Sequence, residues 1–371
     1  MFNGKLVIDV HGHVSTPPQV RAYAYNLVAL RNPSGDDLHL TDEEMEPAIA
    51  RHLRLLDEKG IDVQLLSPRP VAMMHWERPF LVSRWTRTTN DLIARQCALW
   101  PKRFAGVAQL PQSAEHDTSN CVAELERCVR DHGFVGAILN PDPAGDRKAP
   151  GLHESYWYPL YEAAEALQTT LLVHPSITFD RRLEIVPHSY QYNSLTEETL
   201  ATLLLETSDV FARYPKLRIV VCHCGGAPRR LLQGGRPIDA VEQERGNDTV
   251  IRSSGEFGGG QVGLNVGRKE KKRLDVSANL FVDTCAYDPH FLSAAVHQWG
   301  PSRMVFGTEV PGSGTALLNP QTGKPGDDVL ATLSSFPFLS SGEIERMVHD
   351  NPIAVFPLLE RGPALSAVPA S

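Results

Sequence analysis

The chain has 371 residues, 42% hydrophobic and 22% charged, with a formal net charge of −8. That length suits one α/β barrel, a fold of typically about 250 residues or more. The acidic balance argues against a nucleic-acid partner, whose electrostatic footprint is basic. It leaves room for a small anionic ligand, because charge inside a cleft can oppose the net sign.

Eight short apolar runs read as strands: Lys5–Asp9, Asp62–Ser67, Phe104–Leu110, Phe134–Leu139, Thr170–Val173, Arg218–Cys222, Leu280–Asp283 and Met304–Phe306. Most are near-continuously apolar and rich in Val, Ile or Leu, the pattern of strands buried on both faces of a parallel sheet. Helical stretches lie between them. Capping-box spacing in Thr41 with Glu44, Ser194 with Glu197 and Ser340 with Glu343 predicts helix starts there. Strand and helix alternating eight times predict a closed α/β barrel, a (β/α)8 or TIM barrel. An open doubly wound sheet is the competitor, but no GxGxxG follows the first strand. We expect one barrel domain over residues 1–371, with a long insertion at about 234–278 between strands six and seven. That stretch is polar and Gly-rich and holds the basic run Arg268–Arg273. It reads either as an excursion on the catalytic face or as a surface loop without function. The Pro- and Ala-rich tail, about 362–371, is expected to fray.

Residues Met1–Asp9 contain no apolar leader core, and no run of about 18 apolar residues exists, so no secretory signal or membrane span is expected. The cysteines, Cys97, Cys121, Cys128, Cys222, Cys224 and Cys285, form no CxxC. Reduced thiols in a cytoplasmic protein are the expectation. Oligomeric state is not legible, and a homo-oligomer is compatible with everything above.

Reactive groups of an α/β barrel sit at the C-terminal ends of its strands. In chain order those ends carry His11-Gly12-His13, Ser67-Pro68-Arg69, Pro111-Gln112-Ser113, Asn140-Pro141-Asp142, His174-Pro175-Ser176, His223-Cys224-Gly225-Gly226, Asp283-Thr284-Cys285 and Gly307-Thr308-Glu309. Strand alternation points His11 and His13 to one side, with Gly12 leaving backbone room between them. Two imidazoles on one face can grip a metal ion. His174 and Glu309 can complete the shell. Three histidines and a carboxylate suit one Zn2+ per chain with a position left for water; Mn2+ or another divalent ion is chemically compatible. Such an ion lowers the pKa of its water towards about 7.

A lone HxH pair is a weak signal; HxH on strand one, with histidines after strands five and six and an acid after strand eight, is a strong one. Each remaining candidate has a plainer alternative. His223 is either an acid–base group or a core histidine bonded to a carbonyl. Arg69 is either a carboxylate clamp or half of an ion pair. Asn140 is either a substrate contact or a turn residue before Pro141. Asn193 and Tyr190, after strand five, are further candidates for polar contacts. His52, His75, His116, His132, His153, His297 and His349 read as surface groups. Cys222 and Cys224 read as buried strand positions.

These strand-end strings, together with Trp157-Tyr158-Pro159 and Tyr161-Glu162, resemble the amidohydrolase superfamily. The branch is that of aminocarboxymuconate semialdehyde decarboxylase and related decarboxylases, hydratases and hydrolases of aromatic breakdown. Within it the chain is most similar to hydratases of the oxalomesaconate type, over nearly its whole length. The resemblance implies His11, His13, His174 and Glu309 as metal ligands. Decarboxylases of the branch usually carry Asp after strand eight, whereas hydratases and ring-fission hydrolases carry Glu, which favours water addition here. Cys224 stands where the hydratases have glycine, Thr308 where they have serine, and the 234–278 insertion looks longer than theirs.

The expected activity is therefore a zinc hydro-lyase acting on a small, carboxylate-rich product of aromatic-ring cleavage. Metal-activated water is the nucleophile, Glu309 is ligand and proton acceptor, and His223 carries the second proton. A C–C hydrolase of ring-fission products, a non-oxidative decarboxylase and a non-catalytic binder are the alternatives. His223 and Glu309, both plausible proton carriers, argue against the binder.

Overall fold

The computed structural model describes residues 1–29, 38–113, 116–186, 189–227 and 279–365. Eight strands form one sheet in sequence order: β1 Ile8–His13, β2 Val63–Ser67, β3 Phe104–Ala108, β4 Gly136–Leu139, β5 Thr170–Val173, β6 Arg218–Val221, β7 Leu280–Asp283 and β8 Met304–Val305. Every neighbouring pair is parallel. β8 returns to β1 through Val10 N–H to Phe306 O (2.8 Å), Glu309 N–H to His11 O (2.6 Å) and a Gly12–Val310 bridge, closing the barrel.

Helices cover the outside: α1 Pro18–Ala29, α2 Asp42–Glu58, α3 Pro79–Leu99, α4 Ser119–His132, α5 Tyr158–Leu167, α6 Ser189–Thr207 and α7 Pro289–Trp299. α2 starts at the Thr41–Glu44 capping box and buries Met45, Ile49, His52 and Leu56, one stripe at helical spacing. The Ser340–Glu343 box starts the last helical run. Ser194 and Glu197 do not start a helix, because α6 already begins at Ser189. Glu197 instead faces Arg147 at 3.7 Å.

The interior holds Ile8, Val10, Val63, Leu65, Val107, Ile138, Leu172, Val220 and Val305, closed at the N-terminal end of the strands by Val355, Phe356, Leu359 and Ala364. Of the tail expected to fray, Ala364 is thus buried, and residues 366–371 lie outside the described residues. So does the whole 234–278 insertion. The first strand begins three residues later than its apolar run suggested. Lys5 is drawn instead into a bridge with Phe2 and ion pairs with Glu345 and Asp350. All six cysteines are unpaired. Among the described residues no helix is long and apolar enough to cross a membrane.

Candidate active site

β1 sends Ile8 and Val10 into the barrel, so simple alternation would send His11 out again. A register shift intervenes. Ile8 pairs with Val63 and Asp9 with Gln64, but Gly12 pairs with Leu66 and His13 with Ser67. One extra residue in β1 is a bulge, a device that re-aims side chains. Asp9 Oδ1 accepts the His11 N–H at 3.0 Å, stabilising it. His11 and His13 thereby share the interior, with ring centroids 5.1 Å apart. Gly12 is required for a different reason from the one expected: a Cβ there would lie 2.0 Å from Gln64 Cδ. Gln64 occupies that space to bond Asp9 Oδ2 (2.7 Å) and Val310 O (2.9 Å).

His174 follows β5, its ring 5.0 Å from that of His11 and 5.6 Å from that of His13. Each of the three rings is oriented through Nδ1: to Asp283 Oδ2 at 2.7 Å for His11, Ser67 Oγ at 2.9 Å for His13 and the Pro175 carbonyl at 2.7 Å for His174. A carbonyl only accepts, and Ser67 already donates to Gly12 O at 2.9 Å. Nδ1–H is therefore the donor at His13 and His174, and Nε2 carries the lone pair. All three Nε2 atoms are buried and have no hydrogen-bond partner among the described residues. An unsatisfied buried polar atom costs about 1–3 kcal/mol, and three on rings whose centroids lie 5.0–5.6 Å apart form an acceptor set suited to a cation. The donor chemistry fits a divalent ion, with partners behind the rings as such ligands require.

Glu309 completes the cluster. It stands just past β8 with φ +61, a left-handed conformation uncommon outside glycine. Its N–H is fixed on His11 O. Its Oε1 lies 3.8 Å from His13 Nε2 and 3.9 Å from His223 Nε2, and its Oε2 accepts from Tyr287 Oη. Asp9 supports this strand end too, accepting from Thr308 N–H (3.1 Å) and Thr308 Oγ1 (2.5 Å). One ligand atom from each of His11, His174, His223 and Glu309 falls within 4.8 Å of every other.

His223 follows Val221 and the inward-facing Cys222, so alternation would point it away from the interior. A tight turn with positive φ at His223, Cys224, Gly225 and Gly226 redirects it. The glycines are steric necessities. A Cβ on Gly226 would lie 2.5 Å from Thr199 N of α6, and one on Gly225 would lie 2.6 Å from Val282 Cγ1. The turn therefore lies flat on α6, and His223 Nδ1 meets Glu198 Oε1 at 2.7 Å. Its ring is 5.0 Å from that of His174.

The charges divide the site. Burial pushes His13 down to about 4 and His174 well below the usual histidine range, so both are neutral donors of electron pairs. For His11 burial opposes the cation, Cys222 and Asp283 favour it, and the net direction is up; a divalent ion competes with that proton for Nε2. Burial also opposes a charged His223, but Glu198 outweighs it and raises His223 well above its ordinary value. Burial pushes Glu198 up to about 7. For Glu309, burial is outweighed by the neighbouring histidines, and the charge on His223 holds the carboxyl ionised. The site thus combines neutral imidazoles, an anionic carboxylate and a proton-holding His223–Glu198 pair.

The other expected contacts fare differently. Arg69, half-buried after β2, has no hydrogen bond or ion pair among the described residues, although it feels the Glu309 charge. Asn140 is fully buried, and its amide is used inside the protein: Nδ2 donates to His75 Nδ1 at 3.1 Å and Oδ1 accepts from Asp142 N–H at 3.1 Å. Its geometry is that of the turn residue. Asn193 is buried between Ser176 O and Arg147, each at 3.4 Å. Tyr190 is 39% exposed on α6. Two histidines expected at the surface are buried. His52 bonds Gln64 Oε1 at 2.7 Å and His75 bonds Leu110 O at 2.9 Å. The groups that sequence reasoning missed are the supports: Asp283, Ser67, Glu198 and Tyr287. Asp283 and Ser67 were visible at strand ends; Glu198 and Tyr287 carried no local signal.

The sequence profile of the amidohydrolase family matches residues 8–358. The chain is 30% identical over 362 residues, 96% of its own length and 97% of the relative's, to the 2-keto-4-carboxy-3-hexenedioate hydratase of Sphingobium sp. strain NBRC 103272 / SYK-6. Its fold matches the crystal structure of 4-oxalomesaconate hydratase from Rhodopseudomonas palustris with TM-score 0.77 and 26% identity, covering 98% of each chain. A more distant fold match is the dihydroxybenzoic acid decarboxylase of Polaromonas sp. JS666, solved with bound manganese and an inhibitor: TM-score 0.62, 20% identity, 98% of this chain and 99% of that one. The chain belongs to the amidohydrolase family and is a metal-dependent enzyme of that class.

Proposed function

We propose that this enzyme is a hydratase that adds water across a carbon–carbon double bond of a small polycarboxylate derived from aromatic-ring cleavage. One observation carries the reading: Glu309 Oε1 lies 3.8 Å from His13 Nε2, which has no hydrogen-bond partner among the described residues, and 3.9 Å from His223 Nε2. An ion-binding set, a proton acceptor and a separate proton carrier within reach of one another serve water addition, and the grouping of His11, His13, His174, Glu309 and His223 supports assigning them these roles. The likeness to a hydratase over nearly the full length of both chains supports it.

In this reading His11, His13, His174 and Glu309 hold the divalent ion, Zn2+ by the donor set, with Mn2+ accepted by the same atoms. When bound, the ion supplies Lewis acidity and makes a water acidic near neutral pH. Glu309 Oε1 takes the water proton. His223, kept charged by Glu198, delivers a proton to the neighbouring carbon or oxygen of the substrate. Arg69, whose guanidinium has no hydrogen bond or ion pair among the described residues, offers it to a substrate carboxylate, where a planar fork binds two oxygens at once.

The test is product analysis by NMR with 2-keto-4-carboxy-3-hexenedioate, the compound in the relative's name. Water added with all carbons retained is the expected result. Two fragments, or released carbon dioxide, would overturn it in favour of C–C hydrolysis or decarboxylation.

A further inference from the structure

We propose that Tyr287 is a positioning residue that occupies Oε2 of Glu309, leaving Oε1 as the single oxygen this carboxylate presents to the histidines. The inference rests on the reading of Glu309 as an ion ligand.

Its basis is a slot built around one side chain. Tyr287 Oη donates to Glu309 Oε2. Directly after it, Asp288 caps α7 by accepting from His290 N–H (2.7 Å) and Phe291 N–H (3.1 Å), which fixes the backbone that carries the ring. Three glycines of the segment after β8 then make room. A Cβ on Gly314 would lie 2.5 Å from Tyr287 Cε1, one on Gly312 would lie 3.1 Å from Tyr287 Oη, and one on Gly326 would lie 3.3 Å from Tyr287 Cβ. That segment is itself anchored. Asp327 accepts from Thr315 Oγ1 and pairs with Lys59 at 3.3 Å, with both Asp327 and Lys59 buried. Packing therefore allows the phenol little freedom, and its hydroxyl has one carboxylate oxygen to bond.

The consequence is a choice of coordination. A free glutamate can offer two oxygens to one ion. Glu309, held by its N–H on His11 O and by Tyr287 on Oε2, offers one. That oxygen faces both His13 and His223. Tyr287 thus determines that ion binding and proton acceptance fall to the same atom, leaving room at the ion for water and substrate.

The experiment replaces the resident ion with Co2+ and records visible absorption, cobalt content and kinetics for wild type, Tyr287→Phe, Gly314→Ala and Glu309→Gln. Tyr287→Phe keeps the ring and frees Oε2, so the coordination number rises and absorption per cobalt falls. kcat drops about 10–100-fold, the scale for losing a partner behind a metal ligand, while KM is unchanged. Gly314→Ala, which keeps the hydroxyl on the ring but pushes the ring away from Glu309, reproduces both changes. A wild-type spectrum and kcat in Tyr287→Phe, with an altered spectrum in Glu309→Gln, would overturn the inference alone. A wild-type spectrum in Glu309→Gln would overturn the ligand role of Glu309, and this inference with it.

Discussion

The two ends of the barrel interior are built from the same strands but solve opposite problems. At the N-terminal end Val63, Leu65, Val305, Val355, Phe356 and Leu359 fill the space with apolar atoms. Such a plug is stabilised by burial, at about 25 cal/mol per Å² of apolar surface. At the C-terminal end the interior holds His11, His13, His174 and Glu309, and three Nε2 atoms lack partners among the described residues. Stability and function separate here: one end lowers the free energy of the fold, and the other leaves acceptors without a partner among the described residues. Histidine itself shows this. His75 is as buried as His11, but its two nitrogens meet Leu110 O and Asn140 Nδ2. Burial alone therefore does not mark a site; buried acceptors converging without partners do.

The comparison can be broken by exchanging the properties of the two ends. The largest effect is expected from His11→Ala with His13→Ala. Elemental analysis should show the ion lost and turnover abolished, while circular dichroism shows the barrel retained. Full ion occupancy in that variant would refute the cluster. Next is His223→Asn, which removes the proposed proton carrier without touching the three acceptor histidines. It should keep its ion and lose about 10²–10⁴ in rate, the scale of general acid–base catalysis; near-normal turnover would make His223 a structural partner of Glu198. Arg69→Lys should cost roughly tenfold in kcat/KM, in line with the 1.5–3 kcal/mol of a bond to a charged group. Unchanged kinetics in Arg69→Met would place Arg69 outside the substrate's reach. The smallest effect on activity belongs to the apolar end. Leu65→Ala should destabilise by about 2–5 kcal/mol in a denaturant titration, with turnover per folded molecule unchanged.

Much of this was legible beforehand. Apolar runs located the eight strands, most to within two residues, because strands buried on both faces leave continuous Val, Ile and Leu. The barrel rule then picked out His11, His13, His174, His223 and Glu309 from the strand ends. Features that depend on contacts between distant segments were not legible. The β1 bulge exists because Asp9 and Gln64 support it, and alternation alone would have mis-aimed His11. Glu198 meets His223 only because Gly225 and Gly226 let a turn lie on α6. His52 was misread as a surface group although it sits on the Met45–Ile49–Leu56 stripe; weighing helical spacing above polarity would have placed it correctly. Asn140 carried two readings, and the hydrogen bonds to His75 and Asp142 favour the turn.

We propose that Glu309 takes the water proton within a site whose ion is held chiefly by histidines, and the variant that probes this is Glu309→Gln. The substitution preserves shape and an oxygen while removing the charge and the basic lone pair. Ion content and turnover should be measured on the same sample. The expected result is a folded protein that retains ion through His11, His13 and His174, with water addition reduced by at least about 10²-fold. Full ion content with normal turnover would contradict it and require another group to accept the proton.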